Sequence, residues 1–281
     1  MNIYFIGHAM FMIVTDDNKL YTYDSSFEGR GRHAMASFIR NYLGFNEIEA
    51  MIIGHFHRDH VGGAEHLVRQ FRGKVNHVFS SGVYSDGVGI RGYEADVIRQ
   101  NALDDAISEY NIPHTFIKQG DEIDGFIDVL SPYPSALEGL ETDERGRLVT
   151  GNPNDRTGTI VRFNHGDFSI LLTGDYNSMR SDLSDLGDMG ATIMQIPHHG
   201  DPVYVDEDVM VNVDPEFCIL GTATESRIEP LKEFLNDLNY DWWHIGYDRD
   251  KRLLIEGNAD GSFTTSESLP RYVKYNRGSL L

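Results

Sequence analysis

Apolar runs of strand length recur along the chain with turn residues between them: "NIYFIG", "MFMIVT", "KLYTYD", "AMIIGH", "HVFSSG", "IDVLSP", "TIVRF", "FSILLTGD", "TIMQIP", "EFCILG", "WWHIGY" and "RLLIEG". Three longer stretches carry helical spacing instead. "RHAMASFIRNYLGF" sets Met35, Phe38, Ile39 and Leu43 on one face and ends near Gly44, and "YEADVIRQNALDDAISEYN" does the same with Val97, Leu103 and Ile107 before Pro113. "IEPLKEFLNDLN" places Pro230 near its start, where proline is tolerated. Many strands with a few intercalated helices predict sheets covered by helices rather than a bare sandwich.

Between these elements, the segment from Pro132 to Arg156 is rich in Pro, Gly, Asn and charge and reads as a long loop, and "SDGVGIRG" reads as a second flexible stretch. The whole of 1–281 reads as one domain, with a polar tail, 263–281, expected to be loosely held. The opening "MNIYFIGHAMFMIV" is broken by Gly7 and His8 and reads as a first strand rather than a leader. No apolar run approaches the roughly 18 residues that a membrane span needs, so no membrane partner is expected.

Composition then narrows the function classes. Lys plus Arg is 24 against 44 for Asp plus Glu, a formal charge of -20, and only six of the basic residues are lysines. Such a surface counts against a large nucleic-acid footprint, though not against a local one. The single cysteine, Cys218, sits in the apolar run "EFCILG"; it excludes a disulfide scaffold or a thiolate zinc site and fits a reducing, cytoplasmic setting.

The candidate chemistry lies where apolar runs end. "KLYTYD" ends at Asp24, "AMIIGH" opens onto "HFHRDHVGG" with His55, His57, Asp59 and His60, "SILLTGD" ends at Asp175, and "TIMQIP" delivers His198 and His199. If these strands share a direction, all four ends meet at one edge of the fold. Imidazoles and carboxylates crowded at strand ends are costly unless a ligand satisfies them, and a divalent metal does so. The donor set suits zinc, manganese or iron, and is too large for one tetrahedral ion, so two ions sharing a carboxylate are expected. Isolated histidines such as His66, His77, His114 and His165 read as ordinary surface or core residues.

"HFHRDHVGG", an early Asp24, "LLTGD" and a later histidine resemble, in order, the signature of the metallo-β-lactamase superfamily. Within it, "NDRTGTIVRFNHGDFSILLTGDYN" followed by "IPHHG" is similar to the hydrolase domain of ComEC-type competence proteins. The resemblance implies an α/β fold, the αββα sandwich of the metallo-β-lactamase type. It implies that His55 and His57 hold one metal, that Asp59, His60 and His199 hold the other, and that Asp175 bridges them. Asp24 would orient a ligand, and Asn154 or Asp155 would stand where many members place a third histidine. His198 would face substrate or donate a proton, although sequence leaves open which of the tandem histidines is the ligand. Two departures stand out: ComEC-type domains have Asp where this chain has His57, and their distal Asn-Gly-His-Pro element is represented only by "ESRIEP".

The expected function is therefore a two-metal hydrolase, with zinc or else manganese on this donor set, acting on a nucleotide, nucleic acid or other small phosphodiester, with Asp59 and His198 as the residues nearest the chemistry. A lactone or amide hydrolase on the same site is the alternative within hydrolases. A diiron redox protein is the alternative from another class, and it is disfavoured because His57 stands where that family has Glu. The oligomeric state is not legible in the chain.

Overall fold

In the computed structural model, residues 1–6, 9–25, 35–87, 94–153, 155–221, 225–245 and 252–267 are described. One sheet has eight strands in the order β18 (Phe263–Ser266), β17 (Arg252–Gly257), β1 (Asn2–Ile6), β2 (Phe11–Val14), β3 (Leu20–Tyr23), β4 (Ala50–Ile53), β5 (Val78–Ser80) and β7 (His114–Phe116). A second has seven: β16 (Asp241–His244), β15 (Phe217–Leu220), β14 (Ile193–Gln195), β13 (Phe168–Leu172), β12 (Ile160–His165), β9 (Ile127–Ser131) and β8 (Glu122–Ile123). A small third sheet joins β10 (Glu141–Thr142), β11 (Leu148–Thr150) and β6 (Val83–Ser85).

The alternation of side chains along strands explains the layering. In β4, Ala50 and Ile52 join the core between the two large sheets, whereas Met51 and Ile53 join a second core on the outer face. In β13, Ile170 and Leu172 face the central core and Leu171 faces a third. A strand that is apolar at every position is buried on both faces, and here helices cover the outer ones. The helices α1 (Phe38–Leu43, wound at π spacing), α2 (Arg58–Val61), α3 (Ala64–Gln70) and α4 (Glu94–Tyr110) belong to the first half of the chain, and Phe38, Leu67 and Leu103 pack in the second core. The helices α5 (Leu183–Leu186), α6 (Pro197–Gly200), α7 (Glu207–Val213) and α8 (Glu225–Asp237) belong to the other half, and Val209, Leu231 and Leu235 pack in the third core. The result is four layers, α, β, β, α.

Within each large sheet the strands that matter for the site are parallel: β3, β4, β5 and β7 in one, and β13, β14, β15 and β16 in the other. Their C-terminal ends therefore lie on one edge of each sheet, and those ends carry Asp24, His55, Asp175 and the tandem histidines.

Four sequence expectations need correction. The polar tail does not begin at residue 263, because Phe263–Ser266 pairs antiparallel with β17 and Phe263 packs against the central core. The predicted long loop contains the hairpin of β10 and β11, and β11 lies parallel to β6. Arg147 holds it there through Asp143 at 2.7 Å and Asp104 at 2.8 Å, with its guanidinium 4.3 Å above the Tyr84 ring. The helix α8 begins at Glu225, so Pro230 lies inside it rather than near its start. In α4 the buried face is Asp96, Gln100, Leu103, Ala106 and Ile107, with Val97 only partly covered. Two polar side chains turn inward there because each has a backbone partner on another element: Asp96 bonds Arg58 N, and Gln100 bonds both N and O of Ser85. Cys218 is buried on β15, as an apolar run predicts. Most of "SDGVGIRG" lies outside the described residues, and no described helix is long and apolar enough to cross a membrane.

Candidate metal centre

Asp24 follows β3 with a left-handed backbone, φ 58°, which turns its carboxylate toward the end of β4. Its Oδ1 accepts from Gly54 N at 2.7 Å, and its Oδ2 accepts from His60 Nδ1 at 2.6 Å. A Cβ on Gly54 would sit 2.7 Å from Tyr23 Oη and 3.0 Å from either Asp24 oxygen, so the residue before His55 has no room for a side chain. Because His60 gives its Nδ1 proton to Asp24, its Nε2 faces the other way. That atom lies 3.1 Å from Asp175 Oδ2 and 3.8 Å from Asp59 Oδ2.

Asp175 and His199 close the cluster. The turn that carries Asp175 is held by Gln195, whose Oε1 accepts from Thr173 N and Gly174 N at 3.2 Å each. His199 lies in α6, a turn in which His198 and His199 both have left-handed backbones, φ 51° and 58°. Such conformations cost side-chain-bearing residues of order 1–3 kcal/mol each and persist where surrounding contacts dictate them. One such contact is at Gly221, where a Cβ would come within 2.9 Å of His199 Cα. His199 Nε2 is thereby set 3.2 Å from Asp175 Oδ2 and 3.3 Å from Asp59 Oδ2.

Ligand atoms of Asp59, His60, Asp175 and His199 thus lie within 4.8 Å of one another. A tetrahedral ion with donors at roughly 2.0–2.1 Å would space them about 3.3 Å apart, and the contacts above bracket that value. Asp175 Oδ1 is buried without a hydrogen-bond partner among the described residues, the condition a metal relieves. The residues fit a divalent ion.

His55 and His57 form a separate pair, with His55 Nε2 3.0 Å from His57 Nδ1. Among the described residues no third His, Cys or carboxylate completes a compact group with them. Asn154, expected to help there, lies outside the described residues, and its neighbour Asp155 bonds the Ser178 hydroxyl instead. His198 stands apart from the four-residue cluster. Its ring stacks on Tyr204 at 4.9 Å, its Nδ1 donates to Asn177 Oδ1 at 2.6 Å, and its Nε2 faces Asp175 Oδ2 from 4.0 Å. The side chains of Asp59 and His198 are 22% and 32% exposed, against 10% or less for His60, Asp175 and His199, so the cluster opens to solvent on their side.

Electrostatics separate the two groups of histidines. Burial pushes His57 down to about 4 and His55 well below the usual range, so both rings are neutral and ready to donate lone pairs. Burial acts the same way on His199, but the Asp175 carboxylate outweighs it and pushes the ring up to about 9. His60 is likewise raised, by Asp175, Asp24 and Asp59 against burial, and Asp175 is held low because His199 and His60 outweigh its own desolvation. Protons stand in the metal-free cluster where a cation is wanted.

Gln195, Gly54 and Gly221 escaped the sequence reading. Gln195 had one signal, its place at the end of an apolar run just before "IPHHG", but nothing in the chain pairs it with Thr173 and Gly174.

The four-layer sandwich with His and Asp at the strand ends of one edge is the metallo-β-lactamase fold. Among solved structures, a long form RNase Z from yeast superposes with a TM-score of 0.54 at 8% identity, covering 98% of this chain and 51% of that one. The metallo-β-lactamase fold protein YhfI from Bacillus subtilis gives 0.47 at 9% identity, with 86% and 95% covered. AidC, a dizinc quorum-quenching lactonase, gives 0.40 at 13% identity, with 92% and 79% covered. No protein-family model and no curated protein sequence matches the chain.

Proposed function

We propose that the protein is a metal-dependent hydrolase that cleaves phosphodiester bonds in a nucleotide or another small substrate, with zinc, or else manganese, as its metal. The observation that carries this reading is the cluster of Asp59, His60, Asp175 and His199, with donor spacing that suits an ion and a buried Asp175 oxygen left open. These four would hold one ion, and His55 and His57 a second, with Asp175 shared between the two. When bound, a pair of divalent ions activates water near neutral pH and offsets charge developing on phosphoryl oxygens.

The chain's own groups do the rest. Asp24 keeps the proton of His60 on Nδ1 and so keeps Nε2 available as a donor. Asn177 does the same for His198, whose neutral ring turns an Nε2 lone pair to the site. His198, on the solvent side, takes up a proton at Nε2 from water and passes it to the leaving oxygen, returning to its starting form. Asp59 and His198, on the solvent side, border the approach of substrate.

The fold likeness to RNase Z, a phosphodiesterase, and the motif likeness to ComEC-type domains support a phosphoryl substrate. The charge of -20 favours a small substrate over a long polyanion. Elemental analysis with assays of bis(p-nitrophenyl) phosphate and a homoserine lactone tests the reading. Expected are about two ions per chain and phosphodiester cleavage that a chelator abolishes and zinc or manganese restores. Lactone cleavage alone would move the substrate to carbonyl chemistry, and the absence of bound metal would sink the reading.

A further inference from the structure

The helix α2 carries two of the proposed ligands, Asp59 and His60, on a single turn. So short a turn gains little from its own hydrogen bonds, and its first N–H groups need acceptors from elsewhere. The residue at the cap position is His57, in extended backbone with φ -77° and ψ 148°, and its side chain makes no cap hydrogen bond. Its ring is turned to His55 instead. The motif uses for a ligand the position that would ordinarily hold the cap.

Asp96, from the first turn of α4, supplies the acceptor. Its Oδ1 accepts from Arg58 N, the first residue of α2, at 2.8 Å, and Asp96 as a residue is buried, 2% exposed. Its Oδ2 is buried without a hydrogen-bond partner among the described residues, so a carboxylate is kept at this depth at a cost. The far end of the turn is also held from outside: His60 O accepts from Ser25 N and Ser25 Oγ, both at 2.7 Å.

We propose that Asp96 is a positioning residue of the metal centre, capping α2 from a neighbouring helix and so fixing the direction in which Asp59 and His60 present their donors. The inference rests on the metal-dependent reading of the site.

Zinc binding to the metal-free full chain, measured by competition with a chromophoric chelator, tests it, with hydrogen exchange at the Arg58 amide followed in parallel. D96A is expected to weaken the tighter zinc site by about 10-fold or more, the usual effect of losing a group that orients a ligand, and to speed exchange at Arg58. D96N keeps the accepting oxygen and should stay close to the parent in both. R58P removes the same hydrogen bond from the donor side, since the first helical position accepts proline and the extended His57 is what must precede it. It should bind zinc as weakly as D96A, and R58A, which keeps the N–H, should bind like the parent. R58P also answers the question if D96A fails to fold. Parental zinc affinity in D96A and R58P would overturn the inference alone, as would D96N binding as weakly as D96A, which would assign the effect to charge. A parent that binds no zinc would overturn the metal reading and this inference with it.

Discussion

At the scale of single residues, the proposed ligand set divides by what each side chain touches. Asp175 Oδ2 meets both His60 and His199 while its Oδ1 has no partner among the described residues, whereas Asp24 touches the cluster through His60 Nδ1. D175A should therefore lose more metal than D24A or H57A, as elemental analysis of the purified variants would show. D24N should keep most of its metal and lose affinity on the order of 10–100-fold. The tandem histidines should fail differently. H199A should lose an ion, whereas H198A should keep its metal and lose rate on substrates with poor leaving groups, by about 10²–10⁴-fold, with little loss on p-nitrophenyl esters. Loss of an ion from H198A with full metallation of H199A would reverse the pair.

The raised His199 gives a pH dependence of definite sign. Its metal-free value of about 9, against 6.5 for an ordinary ring, means that its ion pair with Asp175 stabilises the metal-free protein fully below 6.5 and is lost as pH rises to 9. Zinc must displace that proton, so zinc affinity should rise over the same interval. Titration calorimetry in buffers of different ionisation enthalpy would show proton release on binding at pH 7, and its absence would contradict the assignment.

At the scale of elements, the site depends on pieces that are too short to stand alone. The turn α2 leans on Asp96 and Ser25, and the hairpin of β10 and β11 leans on Arg147, whose side chain is 12% exposed between Asp143 and Asp104. Hydrogen bonds to charged groups of this kind are worth about 1.5–3 kcal/mol. R147A should lower stability by roughly 2 kcal/mol by the same measure, read from denaturant unfolding, and should open the hairpin to proteolysis before the core. A hairpin as resistant as the parent's would show that β11–β6 pairing suffices.

At the scale of the whole molecule, a charge of -20 on 281 residues makes the folded surface self-repelling. Salt screens that repulsion over a Debye length that shrinks from about 30 Å at 0.01 M to about 3 Å at 1 M. Calorimetric scans of the metal-free protein should thus show Tm rising as sodium chloride is raised over this range. A falling Tm would mean that the ion pairs seen at Arg69, Arg147 and Arg180 matter more than the excess of acid.

The sequence by itself showed where residues of ligand type cluster and which runs would be strands, because both are local properties: ligand types crowd "HFHRDH", and apolar runs of strand length need no partner to be seen. It also placed Asp24, Asp175 and the tandem histidines at strand ends. Tertiary structure decided what depends on contacts between distant segments. It brought His199, and not His198, into the cluster, through a left-handed turn that Gly221 admits. It turned Asp96 and Gln100 inward on a helix whose spacing pointed to an apolar face, since their partners, Arg58 and Ser85, are 38 and 15 positions away. It made a strand of Phe263–Ser266 and a docked hairpin of a polar segment, because pairing to β17 and β6 supplies hydrogen bonds that no local pattern advertises. Polar residues carry no sign of the partner that will satisfy them, and the chain names that partner only once it has folded.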